Sequence, residues 1–335
     1  MLFNSNIVKQ DGLSKKIIEN VNKDDLFLYS QTSLDLVDDY EIDKASAINR
    51  KEVGINRAEI ESFAEKGNFS RIISLGNGQT SDIAKYISYI KKIPHICIPS
   101  IFSTNVSFTD KSCLKEGEVK KTFQSKPPET VVIDYDLISR SNFSYHYYGL
   151  CDILSIYTAL EDWKISSIDT GEHIDDFCYN IAETLIKILE KQLPIILCKS
   201  RESLDAILNL VVMSGYITNI YGSGRPESGS EHIFSKELES KIDIFHAISV
   251  SIGALIMSKL QNKNHNIIRK LVDDLGLLQE AEAGGVTRDL ISSALIYANK
   301  NRDRYTVLNR ADIDEKKANE LISEIFEGYI FTETK

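Results

Sequence analysis

Short apolar runs and stretches of helical periodicity alternate over the first 145 residues. Leu26–Tyr29, Arg71–Leu75, His95–Pro99 and Thr130–Asp134 are each a brief, nearly unbroken run, the pattern of a strand covered on both faces. Between the second and third runs, Ile83, Tyr86, Ile87 and Ile90 recur at helical spacing. Strands alternating with helices predict a parallel, doubly wound α/β sheet. Residues 113–128 break the alternation. They are polar, with Lys115, Lys120, Lys121 and Lys126, and predict a hairpin leaving the sheet. After Gly149 the period changes. His173–Lys199, Ser203–Tyr221, Phe245–Leu260 and Lys316–Phe326 read as helices, and no strand is predicted. The boundary falls at Asn142–Gly149, giving an α/β domain over 1–145 and an all-helical domain over 146–335.

Charge narrows the choice of partner. The net charge is -10, from 39 basic and 49 acidic residues, which repels a phosphate backbone at long range. No nucleic acid is expected, although a local basic patch could hold one small anion. Met1-Leu2-Phe3-Asn4-Ser5-Asn6 lacks the basic and apolar regions of a secretory signal. The best candidate for a membrane span, Ile207–Tyr221, is broken by Asn209, Ser214 and Asn219, so none is expected. Cys97, Cys113, Cys151, Cys178 and Cys198 form no Cys-x-x-Cys pair, which points to reduced thiols and a cytoplasmic protein.

Two polar turns follow predicted strands. Gly76-Asn77-Gly78-Gln79-Thr80-Ser81-Asp82 opens a helix, where glycines permit a sharp turn and helix amides can face a pyrophosphate. Ser81 stands where a third glycine would complete the Gly-x-Gly-x-x-Gly pattern, so a ligand-free strand-to-helix turn is an equal reading. Ser100, Ser103, Thr104, Asn105 and Thr109 follow the next strand. Polar groups there lie where open α/β sheets bind ligands, and a capped loop is the alternative.

In the helical half, Asp152 opens one helix, His232 lies in Gly229-Ser230-Glu231-His232, and His246 begins an apolar helix. One carboxylate and two imidazoles make a three-ligand set with an open position for a substrate oxygen. Spacing alone does not bring them together. Taken locally, Asp152 is equally a helix N-cap, His232 a polar loop residue and His246 a satisfied histidine at a helix start.

Three segments resemble the glycerol-1-phosphate dehydrogenases: residues 151–157 with Glu161-Asp162-Trp163, residues 222–232, and residues 302–308. Lys126-Pro127-Pro128 and the glycine turn fit as well, so the resemblance runs from Leu26 to Leu308. The wider superfamily holds glycerol dehydrogenase, iron-containing alcohol dehydrogenases and dehydroquinate synthase. The resemblance implies a Rossmann-like N-terminal domain, a helical C-terminal domain and an active site in the cleft between them. It implies one divalent metal, zinc or iron, on Asp152, His232 and His246, which are also the catalytic residues. It implies NAD or NADP on Asn77, Gly78, Gln79, Thr80, Ser81, Asp82, Ser100, Ile101, Phe102, Ser103 and Thr109. The residue reading the 2′-position is expected near Ser30 to Ser33. The function implied is a metal-dependent NAD(P)(H) oxidoreductase acting on a small polyol, hydroxyketone or polyol phosphate, in a homo-oligomer. A carbocycle-forming synthase of the dehydroquinate synthase type, or a degenerate non-catalytic paralogue, is the alternative.

Several positions depart from the family pattern. Asn105 replaces a substrate-contacting aspartate and Lys236 a histidine; Ile156 replaces a lysine, and Cys151, Ala247 and Asn77 replace glycines. A neutral amide at 105 and a cation at 236 favour a more anionic or differently shaped substrate. Arg225 and Lys236 are the candidates for holding its anionic group, alongside Asn105 and Asp152 as substrate contacts, with a structural salt bridge the other reading of Arg225 and a solvated surface residue that of Lys236. Lys111, Lys115, Lys120 and Lys121 read as a solvated face. His146 reads as hinge packing, His95 as core, and His173 and His265 as surface helix residues.

Overall fold

The computed structural model describes residues 5–42, 47–117, 119–300, 304–329 and 331. Arg302 and Asp303 of the last resembling segment, and the first four residues, lie outside them. The chain divides into two compact units, Met1–His146 and Tyr147–Lys335.

The described residues of the first unit carry eight strands: β1 (Asn6–Lys9), β2 (Asp25–Tyr29), β3 (Ala47–Asn49), β4 (Arg71–Leu75), β5 (His95–Ile98), β6 (Lys111–Glu116), β7 (Val119–Gln124) and β8 (Thr130–Ile133). Six form one sheet in the order β1-β8-β5-β4-β2-β3, every neighbouring pair parallel. β6 and β7 form a separate antiparallel hairpin, from Lys111 opposite Gln124 to Glu116 opposite Val119. The central strands are apolar on both sides because both faces are covered. Their alternate side chains part between two cores. Leu26, Leu28 and Ile72 pack with Ile83, Ala84 and Ile87 of the helix Gln79–Lys91, while Phe27, Ile73 and Leu75 pack with Ile18, Val37 and Leu137. The predicted strands are the central four. Pattern missed β1 and β3, the two edge strands, with four and three residues and few apolar positions.

Lys85 is fully buried in the helix Gln79–Lys91. Its Nζ donates to the Thr109 carbonyl (3.2 Å) and hydroxyl (3.0 Å) and lies 3.5 Å from Asp82. Burial pushes the lysine's pKa down and that of Asp82 up, to about 6, although the two attract.

Every regular element among the described residues of the second unit is a helix. Three helices carry the candidate site, Cys151–Thr170, Ser230–Glu239 and His246–Gln261, and Asp176–Ile196 and Arg201–Tyr221 pack against the first of them. His246–Gln261 is buried from Ala247 to Ser258 on every side, as a helix with no charged face in that stretch can be. Arg201–Tyr221 is long and apolar enough by length and composition to cross a membrane, but 61% of that window is buried inside the protein, as in a core helix. His173 is not helical. It lies in the exposed loop before Asp176–Ile196, whose start is capped by Asp175 accepting from the Cys178 amide.

Candidate functional site

The structure brings Asp152, His232 and His246 together. Their ligand atoms all lie within 4.8 Å of one another. The Asp152 Oδ1 is 3.7 Å from His232 Nε2 and 3.9 Å from His246 Nε2. Atoms bound about 2.1 Å from one cation in tetrahedral geometry lie about 3.4 Å apart, so the cluster is near that span. Each residue occupies the first turn of its helix: Asp152 of Cys151–Thr170, His232 of Ser230–Glu239 and His246 of His246–Gln261. Neither local alternative survives for two of them. The N-cap of the first helix is Leu150, with no side-chain cap, and His232 is helical rather than in a loop.

Both imidazoles are aimed by carboxylates. His232 Nδ1 lies 2.8 Å from Glu231 Oε1, and His246 Nδ1 lies 2.6 Å from Glu239 Oε1. A carboxylate there accepts from Nδ1–H, which fixes the tautomer whose Nε2 lone pair faces Asp152, as metal-ligating histidines require. The carboxylates are themselves fixed. Glu231 is fully buried and accepts from the Gly229 amide (2.5 Å) and the Thr158 hydroxyl (2.7 Å). Glu239 accepts from Ser235 (2.7 Å) and Ser249 (2.9 Å). Burial opposes charge on His232, but Asp152 and Glu231 outweigh it and lift the imidazole pKa to about 9. The cluster therefore fits one divalent cation in place of that proton. Glu227 is the contrast: burial, with Asp152 adding, pushes its carboxyl up to about 8.

Sequence reasoning assigned no role to Glu231 or Glu239. The available signal was spacing, since Glu239 follows His232 by seven residues, two helical turns along one face. It also missed Asp162, which ties the three resembling segments together. Its carboxylate accepts from the Ser230 amide and hydroxyl (both 2.6 Å), the Val307 amide (2.8 Å) and Gln261 (2.9 Å). Gly229 is required beside it, since a Cβ there would meet Asp162 Oδ2 at 2.5 Å and the Ala159 backbone at 3.1 Å. Arg304, from the last segment, donates to the Ser228 carbonyl. These motifs frame the start of the helix bearing His232.

Arg225 forms the structural salt bridge that is its other reading. It is buried and ion-paired with Glu172 at 2.8 Å, and it also donates to the Asp162 and Tyr305 carbonyls. Its Nε and Nη2 are engaged within the fold, while Nη1 is buried with no hydrogen-bond partner among the described residues. Lys236 is exposed, one turn after His232 on the same helix. Among the departures, Cys151, Ile156 and Ala247 are buried, and burial pushes the Cys151 thiol pKa up to about 12.

In the first unit the two polar turns adjoin, because β4 and β5 are parallel neighbours. Asn77 stitches them. Its amide donates to the carbonyls of Ile101 (3.2 Å) and Thr104 (3.3 Å), and its Oδ1 accepts from Ser107 (3.0 Å). Gly76 and Gly78 have φ of 127° and 54°, the region glycine enters freely. Gln79 and the buried Thr80, Ser81 and Asp82 begin the helix. Ser100 bonds Ser33 (2.9 Å), and the Phe102 amide donates to His146 Nδ1 (3.1 Å). His146 is packed between Phe102 and Phe143, and burial pushes its pKa down to about 4. Asn105 caps the short turn Val106–Phe108, its carbonyl accepting from the Phe108 amide.

A parallel sheet ending in a glycine turn, followed by a helical unit with a carboxylate and two imidazoles at one point, defines the class of iron-containing alcohol dehydrogenases. The profile of that family, "Iron-containing alcohol dehydrogenase", matches residues 30–141. Solved structures share the fold: a probable glycerol dehydrogenase from Sinorhizobium meliloti (TM-score 0.71, 16% identity, 96% of each chain) and glycerol dehydrogenase from Schizosaccharomyces pombe (0.70, 17%, 96% of this chain and 88% of that one). Among curated proteins, the chain is 30% identical to the glycerol-1-phosphate dehydrogenase [NAD(P)+] of Pyrococcus horikoshii over 277 residues, 81% of this chain and 80% of the relative. The corresponding enzyme of Aeropyrum pernix is 29% identical over 266 residues, 78% of this chain and 76% of that one. The chain belongs to the glycerol-1-phosphate dehydrogenase family, whose members are NAD(P)-dependent oxidoreductases.

Proposed function

We propose that this protein is an NAD(P)(H)-dependent oxidoreductase acting on a small polyol phosphate and its hydroxyketone, of the glycerol 1-phosphate and dihydroxyacetone phosphate type. It uses one divalent cation, zinc or ferrous iron, held by Asp152, His232 and His246. The observation carrying this reading is that both Nε2 atoms face the Asp152 carboxylate while both Nδ1 atoms are held by Glu231 and Glu239.

A cation held there supplies Lewis-acid polarisation of the reacting oxygen, and NAD(P)H supplies the hydride. The protein's own groups do the positioning. Glu231 and Glu239 accept from the two Nδ1–H groups and so hold both Nε2 atoms toward Asp152. The turn from Asn77 to Asp82 seats the pyrophosphate, supported by Ser100 to Ser103 and Thr109. Lys85 holds Thr109 in place from beneath. Lys236 attracts the substrate's phosphate, and Asn105 supplies an amide to a substrate oxygen. Five free cysteines support a reducing, cytoplasmic setting. Assembly as a homo-oligomer is part of the proposal.

The test is reduction of dihydroxyacetone phosphate and other hydroxyketone phosphates by NADH and NADPH, after chelation and after readdition of zinc or ferrous iron. Metal-restored, stoichiometric cofactor oxidation is expected. Turnover that survives chelation, or product formed without net cofactor oxidation, would overturn the reading.

A further inference from the structure

Arg50 is the first residue of a short helix, Arg50–Val53, directly after β3. It is half-buried, and burial lowers its pKa with no carboxylate offsetting the cost. Among the described residues its guanidinium has no ion pair. Its one hydrogen bond goes to Oε1 of Gln79, the residue that begins the helix after the glycine turn. A guanidinium withdrawn from water without an anion is a costly arrangement unless a ligand completes it.

The sheet register shows what the position faces. β2 pairs with β3 at Tyr29 and Asn49, and with β4 at Tyr29 and Leu75. Ser30, Arg50 and Gly76 therefore leave the sheet side by side at one edge. A Cβ on Gly76 would come within 3.1 Å of the Ser30 hydroxyl, so Ser30 lies against the turn itself. Dinucleotide sites for NAD(H) place an acid after the strand beside the glycine turn, where it binds the ribose diol. Here β2 is followed by Ser30, Gln31, Thr32 and Ser33, with no carboxylate. The nearest acid, Asp35, accepts from Gln31 Nε2 at 2.8 Å.

We infer that Arg50, with Ser30 and Gln79, seats the 2′-phosphate of NADP(H), and that the protein prefers NADP(H) to NAD(H). The inference rests on the reading of the glycine turn as a dinucleotide seat. A 2′-phosphate brings a charge of about −1.5 to −2 near neutral pH, with acceptor oxygens that match the guanidinium fork. The diol of NAD(H) brings no charge to Arg50.

The test is equilibrium binding of NADPH and NADH to the intact protein, followed by cofactor fluorescence, for the unaltered chain and for Arg50→Gln and Arg50→Lys. NADPH binds at least about ten-fold tighter, the equivalent of one charge-assisted hydrogen bond. Arg50→Gln removes that margin and changes NADH affinity less than about three-fold, while Arg50→Lys, charged but without the fork, falls between. On the unaltered protein, 2′,5′-ADP competes for the site better than 5′-AMP. Equal binding of both cofactors, or an equal loss of both in Arg50→Gln, overturns the inference and leaves the dinucleotide seat standing. Failure of both cofactors to bind removes the seat and the inference together.

Discussion

Single residues carry the chemistry, and each is governed by its partner as much as by its own type. Glu231 and Glu239 touch no open site, yet they decide which nitrogen of each histidine is available. Glu231→Gln and Glu239→Gln are expected to weaken zinc binding about 10- to 100-fold with the fold retained, measured by competition with a chelating dye. Asp152→Asn and His246→Ala are expected to abolish both stoichiometric metal and turnover; either variant keeping full activity would refute the ligand set. His95 offers a pH test. It is fully buried, 2.8 Å from the Ser74 hydroxyl, and burial, aided by Lys85 and Lys126, pushes its pKa from 6.5 to about 3. Between those values the unfolded chain takes a proton that the folded chain refuses, so stability falls as pH drops below 6.5. The loss is about 1.4 kcal/mol per pH unit, absent from His95→Asn, and is read from urea midpoints between pH 6.5 and 4.5. The three candidate ligands were legible in the sequence as residue types, but not their convergence, because 80 residues separate Asp152 from His232 and nothing local links them.

Elements set the tolerances around those residues. The central strands were legible because their apolar runs answer to burial on both faces, whereas β1 and β3 owe their pairing to a neighbour's edge rather than to their own pattern. Arg225 shows the reverse limit. A lone arginine in a glycine-rich loop looks like an anion site, and only the tertiary fold reveals that Glu172, 53 residues away, pairs with it. The start of the helix Ser230–Glu239 is tightly fitted. Gly229→Ala drives a methyl into Asp162 and the Ala159 backbone and should cost about 1–3 kcal/mol, seen as a lower urea midpoint. The same variant should displace Ser230 and loosen the Glu231–His232 pair, so metal affinity falls with stability. Loss of stability alone would mean that the frame and the ligands are independent.

Across the whole molecule, the candidate ligands sort by unit. The nucleotide turns lie within Met1–His146 and the ligand cluster within Tyr147–Lys335. Each small molecule should therefore stabilise its own half. Hydrogen exchange is expected to slow in 76–91 on adding NADPH and in 230–250 on adding zinc, each by up to about 2.7 kcal/mol at a hundred-fold excess over Kd. Protection of the same segments by both ligands would contradict this division.

Three helices begin at the ligand cluster, so three macrodipoles present their positive ends to it, each equivalent to about half an elementary charge. That field works against a cation and in favour of an electron-rich oxygen. The carboxylates at 152, 231 and 239 restore the balance for the cation. What is left over favours negative charge wherever the cluster opens to a ligand, so anions such as sulfate or oxalate should act as inhibitors competitive with the substrate.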